Sequence, residues 1–206
     1  MFLWAQKANL SLCSGYVGRE CTVVGFFFVS LHQIFPILNH YFFIIPPPMI
    51  QHLNLPACDV KTRNADGMLQ IFDMLRNRFV KLTPEEWVRQ HFVHFLKDRH
   101  GYPAALMANE VAVTLNGMSR RCDTVVYDKK GLKPLMIVEY KAPAVGITQR
   151  VFNQICRYNM VLEVEYLIVS NGLKHYCCRV NLEDGSYEFL PSVPSYEEIS
   201  SRGSGL

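Results

Sequence analysis

The chain lacks most of the features that mark out common functions. Its seven cysteines, an odd number, contain no C-x-x-C and only one adjacent couple, Cys177-Cys178, so neither a disulfide framework nor a zinc site is encoded and a reducing compartment is expected. There is no G-x-x-x-x-G-K-[ST] loop, the device that cradles nucleotide phosphates, which excludes an ATP-driven motor within these residues. No methyltransferase signature, internal repeat or low-complexity tract is present. An excess of one charge is missing too: 21 Lys and Arg stand against 18 Asp and Glu, a net +3. Bulk electrostatics therefore does not announce nucleic acid, and any basic contact has to be local.

Charge is absent altogether from one stretch. Between Cys21 and Pro48 there is no Lys, Arg, Asp or Glu, and the apolar blocks Val23 to Leu31, Ile34 to Leu38 and Tyr41 to Ile45 together have the length to span a bilayer. His32, Pro36, Asn39 and His40 interrupt the run, and no small-residue cleavage site follows it. A membrane anchor, a packed extension of the domain, and upstream sequence translated ahead of a true start at Met49 all fit this pattern. The last is the expectation carried forward, with a cytoplasmic protein and no membrane partner. Residues 49–199 are expected to form one domain, and 200–206, Ser-Ser-Arg-Gly-Ser-Gly-Leu, a disordered tail.

From Met49 onward the pattern is orderly. Met68, Leu69, Ile71, Phe72, Met74 and Leu75 recur between Asn64 and Lys81, with Asp73, Arg76 and Arg78 suited to an exposed flank. Thr83-Pro84-Glu85-Glu86 reads as an N-cap, a proline at the first helical position and a capping-box Glu. The helix it opens runs through Trp87, Val88, His91, Phe92, Phe95 and Leu96 to a stop at Gly101. Its histidines, His91, His94 and His100, read as surface or core residues rather than zinc ligands. Then come a strand over Val111 to Leu115, an Asn116-Gly117 turn, a hairpin, a helix near Thr148 to Leu162, and strands at Tyr166 to Val169, Lys174 to Val180 and Tyr187 to Leu190. The order helix, three strands, helix, strands describes an α/β domain, a mixed central sheet flanked by helices.

The hairpin carries the chemistry. Its strands, Arg120 to Tyr127 and Pro134 to Pro143, hold Val125, Val126, Ile137 and Val138 as a buried pair, yet also Asp123, Glu139 and Lys141. Charges there need a reason. The simplest antiparallel register pairs Tyr127 with Leu135 and sets Asp123 opposite Glu139, with Cβ atoms about 5 Å apart, where like charges repel. A hard divalent ion between them removes the conflict, and two carboxylates plus a backbone carbonyl and waters suit magnesium. Lys141 shares the face of Glu139 while Tyr140 points away, so an amine sits where it can orient or deprotonate an attacking water. The reaction class expected is phosphodiester hydrolysis. The blander alternative, an Asp beside two arginines and an E-x-K of mutual partners at a strand end, is open on these residues alone. Gln154 and Tyr158, four apart, lie on one helix face and can hydrogen-bond a carboxylate or a phosphate. Arg120, Arg121, Lys129, Lys130, Lys133 and Arg150 surround the hairpin and are candidates for phosphate contact.

The order Asp123, Glu139-Tyr140-Lys141, Gln154-Ile155-Cys156-Arg157-Tyr158 resembles the PD-(D/E)xK nuclease superfamily, in the branch represented by the N-terminal domain of type I restriction enzyme R subunits. The likeness covers roughly residues 55 to 200, and Leu167 to Gly172 resembles that branch's next strand and Asn-Gly turn. It implies a restriction-endonuclease-like fold and a magnesium-dependent DNA endonuclease. Asp123 and Glu139 would bind the metal, Lys141 would serve the water, and Gln154 and Tyr158 would support the site. Glu110 stands where an additional acid is often found. DNA and restriction-modification subunits are the implied partners. Cys122 replaces the usual Pro, and Tyr140 is larger than usual. An inactive nucleic-acid-binding or assembly module on the same fold is the alternative, because a fold does not guarantee activity.

Overall fold

Two strands, Pro134–Tyr140 and Tyr166–Ser170, form the centre of the main sheet because they are apolar on both faces. The computed structural model describes residues 51–115, 117–130 and 133–202. The uncharged run at 21–48, the Asn116 corner, the Gly131-Leu132 tip and residues 203–206 lie outside the described residues. A six-stranded sheet places β4 (Met107–Leu115), β5 (Met118–Tyr127), β6 (Pro134–Tyr140), β7 (Tyr166–Ser170), β8 (His175–Val180) and β9 (Tyr187–Leu190) side by side in chain order. Every pair is antiparallel except β6 and β7. Those two run parallel, which requires a crossover connection, supplied by helix α2 (Gln149–Leu162). Their residues are almost all buried, as two-sided cover demands.

Two helices provide that cover. Helix α1 (Pro84–His100) lays Val88, Phe92, Val93 and Leu96 against Val126, Met136, Val138, Tyr140 and Ile168. Helix α2 lays Val151 and Ile155 against Val125, Ile137, Leu167 and Val169 on the other face. The Thr83 hydroxyl accepts the Glu86 N–H at 3.0 Å and so caps α1, and Gly101, at φ 71°, ends it. The Glu86 carboxylate does not close the expected capping box. It turns instead to Arg76, at 3.2 Å, and Gln90, at 2.8 Å.

Three expectations are corrected. The segment before α1 is a three-stranded antiparallel meander, β1 (Thr62–Ala65), β2 (Met68–Asp73) and β3 (Arg78–Lys81), absent from the expected element order. Asp73 is fully buried rather than on an exposed flank. Its carboxylate accepts from the Leu75 and Arg76 N–H groups, both at 2.9 Å, from the Arg76 guanidinium, and from Asn109 Nδ2 at 2.9 Å. Asn109 accepts in turn from Thr124, at 2.6 Å, and Thr124 from the Tyr140 hydroxyl, at 3.1 Å. This buried polar chain ties the meander to β4, β5 and β6. Third, Ser200, Ser201 and Arg202 complete helix α3 (Tyr196–Arg202), whose Ile199 is buried, where a disordered tail was expected. Two smaller differences concern length and register. Strand β4 begins at Met107 rather than Val111, and an irregularity pairs Tyr127 with Pro134 rather than Leu135.

Two outcomes follow for stability. At the end of β7, Gly172 has φ 79°, and a Cβ there would lie 2.6 Å from Leu53 Cδ2 and 3.1 Å from Val88 Cγ2. Gly172→Ala should lower the unfolding free energy by about 1–3 kcal/mol in urea titration, from backbone conformation and overpacking together. Burial alone would push the Asp73 carboxyl up, but the Arg76 N–H, Asn109 and the Arg76 guanidinium hold it below its usual range. A carboxyl with a depressed folded-state pKa stabilises fully above its unfolded value of about 3.9 and loses that contribution as pH falls through the folded value. Asp73→Asn should therefore cost about 2 kcal/mol at neutral pH. It should also flatten the decline in stability below about pH 4, measured by urea unfolding at several pH values.

Candidate active site

The acids meet where the regular sheet breaks. On β4, Met107 packs with the α1 side of the sheet and Val113 with the α2 side. Between them Glu110 has φ 59°, a left-handed conformation uncommon for a residue with a Cβ. The β4–β5 register pairs Asn109 with Thr124 and Val111 with Cys122, which leaves Glu110 level with Asp123. On the other side of β5 the ladder pairs Thr124 with Val138, so one further step sets Asp123 level with Glu139. Three carboxylates therefore lie in one row across β4, β5 and β6.

Each is held differently. Asp123 Oδ1 accepts from Arg89 Nη2 at 2.9 Å and Oδ2 from the Tyr140 N–H at 2.7 Å. Glu139, only 3% exposed, accepts through Oε1 from Lys141 Nζ at 2.6 Å and from Gln154 Nε2. Gln154 Nε2 also reaches the Tyr158 hydroxyl at 3.4 Å, one helical turn along α2. Lys141 is placed by its own N–H, which bonds Ser170 O at 2.9 Å and carries the β6–β7 pairing one residue past the strand. Glu110 bonds Arg89 and lies 3.7 Å from Arg121.

The electrostatics follow from this crowding. Burial, then the charge of Asp123, pushes Glu139 up to about 7 against the pull of Lys141. Burial raises Asp123 as well, opposed by Arg89, the Tyr140 N–H and Lys141. Burial pulls Lys141 down, but the hydrogen bond and charge of Glu139 and the charge of Asp123 more than offset it, so it is a firm ammonium. Burial pushes Glu110 up, but Arg89, with Arg76 and Arg121, more than offsets it and holds the carboxyl below its usual range.

Arg89 and Glu85, both on α1, are the members of this cluster that sequence reasoning missed. Arg89 is 3% exposed, bonds Glu110 and Asp123, lies 3.5 Å from Glu86 and 4.0 Å from Glu85, and sits over the Tyr140 ring at 5.8 Å. Among the described residues its Nε has no hydrogen-bond partner. Glu85 is raised by burial and by the charge of Asp123, with Lys141 and Arg89 opposing. The signal available in the sequence was an acidic first turn followed by Arg89 at i+3 and i+4.

The structure thus brings together Asp123, Glu139, Lys141, Gln154 and Tyr158, with Glu110 linked through Arg89. It does not bring Arg120 or Arg150 into hydrogen bonding with them: Arg120 reaches the Met118 sulfur at 3.8 Å, and Arg150 lies exposed in the first turn of α2. Arg121 is 71% exposed and meets the cluster at Glu110. Among the described residues no group of three or more His, Cys, Asp or Glu is arranged to hold a metal ion. A cation here would rest on two carboxylates, with water completing its shell.

The family described as type I restriction enzyme R protein N terminus (HSDR_N) matches residues 84–194. The chain belongs to this family. The match opens at α1 and closes after β9, so it contains the whole row of acids, and the mixed sheet between two helices is the restriction-endonuclease-like arrangement. Among solved structures, the chain is similar to a fragment of a candidate HsdR subunit of a type I restriction enzyme from Vibrio vulnificus YJ016. That similarity is at 18% identity with a TM-score of 0.45, over 59% of this chain and 25% of that one. It is also similar to a candidate nuclease of the DUF820 group from Anabaena variabilis ATCC 29413, at 13% identity and a TM-score of 0.40, over 76% and 93% of the two chains. No curated protein matches the chain. No helix among the described residues is long and apolar enough to cross a membrane.

Removing Arg89 leaves Asp123, Glu110 and Glu86 without their shared buried cation. Arg89→Ala should lower stability by about 3–5 kcal/mol, the usual consequence of breaking a buried ion pair from one side. Arg121→Ala, at the solvent-facing end of the same row, should change it by less than about 1 kcal/mol. Urea unfolding of the two variants beside the parent chain checks both.

Proposed function

We propose that this domain hydrolyses phosphodiester bonds of DNA with a magnesium ion held by Asp123 and Glu139. One observation carries the reading: the part-buried Asp123 and the buried Glu139 lie level on adjacent strands, each raised by desolvation, and Asp123 raises Glu139 further. Such an arrangement is unfavourable unless it answers a cation. The donor set fits a hard divalent ion that keeps much of its water shell. When bound, magnesium would polarise a phosphoryl oxygen and acidify a coordinated water.

The remaining roles belong to the chain itself. Lys141, an ammonium fixed 2.6 Å from Glu139, is placed to orient the attacking water and to steady charge developing on the phosphate. Gln154 holds the Glu139 carboxylate in one rotamer and Tyr158 backs Gln154, the kind of outer support that keeps a ligating carboxylate in position. Arg89 and the Tyr140 N–H fix Asp123 through both oxygens. The setting that fits is restriction-modification, with this domain as the nuclease part and other subunits or segments supplying translocation. A second reading, a DNA-binding or assembly module without catalysis, is favoured by that same engagement of both Asp123 oxygens.

The discriminating measurement is cleavage of plasmid DNA by the full chain in magnesium and in EDTA. Asp123→Ala, Glu139→Ala and Lys141→Ala should each slow cutting at least about 100-fold, and Gln154→Ala about 10-fold, all with unchanged circular dichroism. No magnesium-dependent cutting by the parent chain, or equal cutting by parent and variants, overturns the catalytic reading.

A further inference from the structure

The meander formed by β1, β2 and β3 lies outside the residues matched to the family, and its two faces differ in chemistry. Ile71 is fully buried on the inner face, beside Asp73. The β1–β2 register pairs Arg63 with Gln70, and the β2–β3 register pairs Gln70 with Lys81 and Phe72 with Phe79. Paired residues share a face and alternation fills the rest, so Arg63, Gln70, Phe72, Phe79 and Lys81 stand together on the outer face. Lys61 joins them, because its carbonyl receives the Phe72 N–H at 2.8 Å.

We propose that this outer face binds the phosphate backbone of duplex DNA. Three cations, Lys61, Arg63 and Lys81, are exposed on it, and no strand residue of the face carries a carboxylate. Two arginines of the interior, by contrast, are answered by acids: Arg76 has Asp73, and Arg89 has Asp123 and Glu110. The cations here are organised by aromatic rings instead. Arg63 lies over the Phe79 ring at 4.0 Å and Lys61 over the Phe72 ring at 6.0 Å, with the two rings packed edge to face at 5.3 Å. Gln70 fixes the Arg63 fork by accepting its Nε–H at 2.8 Å. Guanidinium and ammonium groups so held keep their positive charge outward and cover the ring faces, which favours phosphate contact over base stacking.

The position of the face suits a substrate track. Lys81 precedes Glu85 by four residues, so their Cα atoms lie within about 14 Å of each other. Glu85 feels the charge of Asp123 and Lys141. The outer face therefore leads, through the Lys81-to-Glu85 connection, to the first turn of α1 that borders the acids. The inference rests on the proposed action on DNA for its choice of polymer, but not on cleavage.

The test uses the full chain, a short fluorescent duplex and EDTA, so that binding is read by anisotropy with no cutting. Each lost phosphate contact removes about 0.9 from the slope of log K against log[salt], a factor of about three in affinity between 50 and 200 mM salt. Combining Lys61→Ala, Arg63→Ala and Lys81→Ala should lower that slope by about 2 to 3. The milder pair Lys61→Gln and Lys81→Gln, at exposed positions, should lower it by about 2 with an unchanged thermal midpoint. Arg157→Gln, at an exposed position of α2, should retain the parent slope. An unchanged slope in the triple and double variants overturns the proposal even where the chain cuts DNA. A lowered slope sustains it even where the chain cuts nothing. Displacement of the duplex by polyglutamate at equal charge would assign the face to an acidic protein partner instead and would also overturn it.

Discussion

A single buried guanidinium organises the functional end of this domain. Arg89 comes from α1 and answers acids on its own helix, on β4 and on β5, so it fixes the angle at which the helix meets the sheet as well as the charge between them. A lysine could not replace it, because separate nitrogens of the planar fork serve Glu110 and Asp123. Burying such a group is unfavourable unless its bonds are made, and among the described residues its two terminal nitrogens make them. Stability alone gives little reason to bury Arg89 and Glu139, with Asp123 half-buried beside them, at one sheet end when apolar residues of similar volume would serve. Glu110, held at positive φ in the same row, is a second departure of this kind, and such departures cluster where a site has to be built.

What was legible in the sequence follows from interaction range. The β5–β6 hairpin could be read because strand alternation and a short loop together limit the register. The irregularity at Tyr127 moved one pairing without disturbing the level of Asp123 and Glu139. Helix α1 could be read from Thr83 and Gly101, and Gln154 and Tyr158 from their spacing. Arg89 could not be. Its partner Asp123 is 34 residues away, and within α1 it resembles an ordinary surface partner of Glu85 and Glu86.

The meander was hidden for a different reason. Its strands are only four to six residues long, and the apolar positions 68, 69, 71, 72, 74 and 75 match helical spacing as well as they match two strands and a turn. A charged residue is presumed exposed, so Asp73 was misplaced. In the structure it anchors a chain of hydrogen bonds through Asn109 and Thr124 to Tyr140. The bulk of Tyr140, unusual at a position between two site residues, is explained by that chain. Its ring supports Arg89, its hydroxyl closes the polar network, and its N–H holds Asp123.

These links place the candidate acids under two independent restraints. Asp123 is positioned from the α1 side through Arg89, and Glu139 from the α2 side through Gln154, while β6 supplies the Tyr140 N–H to one and Lys141 to the other. These bonds tether each carboxylate beside its neighbour. The repulsion is therefore stored in a fixed geometry, where it opposes full ionisation of Glu139. In the proposed reaction, a cation entering between the two carboxylates has to share Asp123 oxygens already bonded to Arg89 and the Tyr140 N–H, and a Glu139 carboxylate already bonded through Oε1 to Lys141 and Gln154. Arg89 then contributes by limiting how much negative charge the pair presents, since it neutralises Asp123 in part and leaves Glu139 to Lys141.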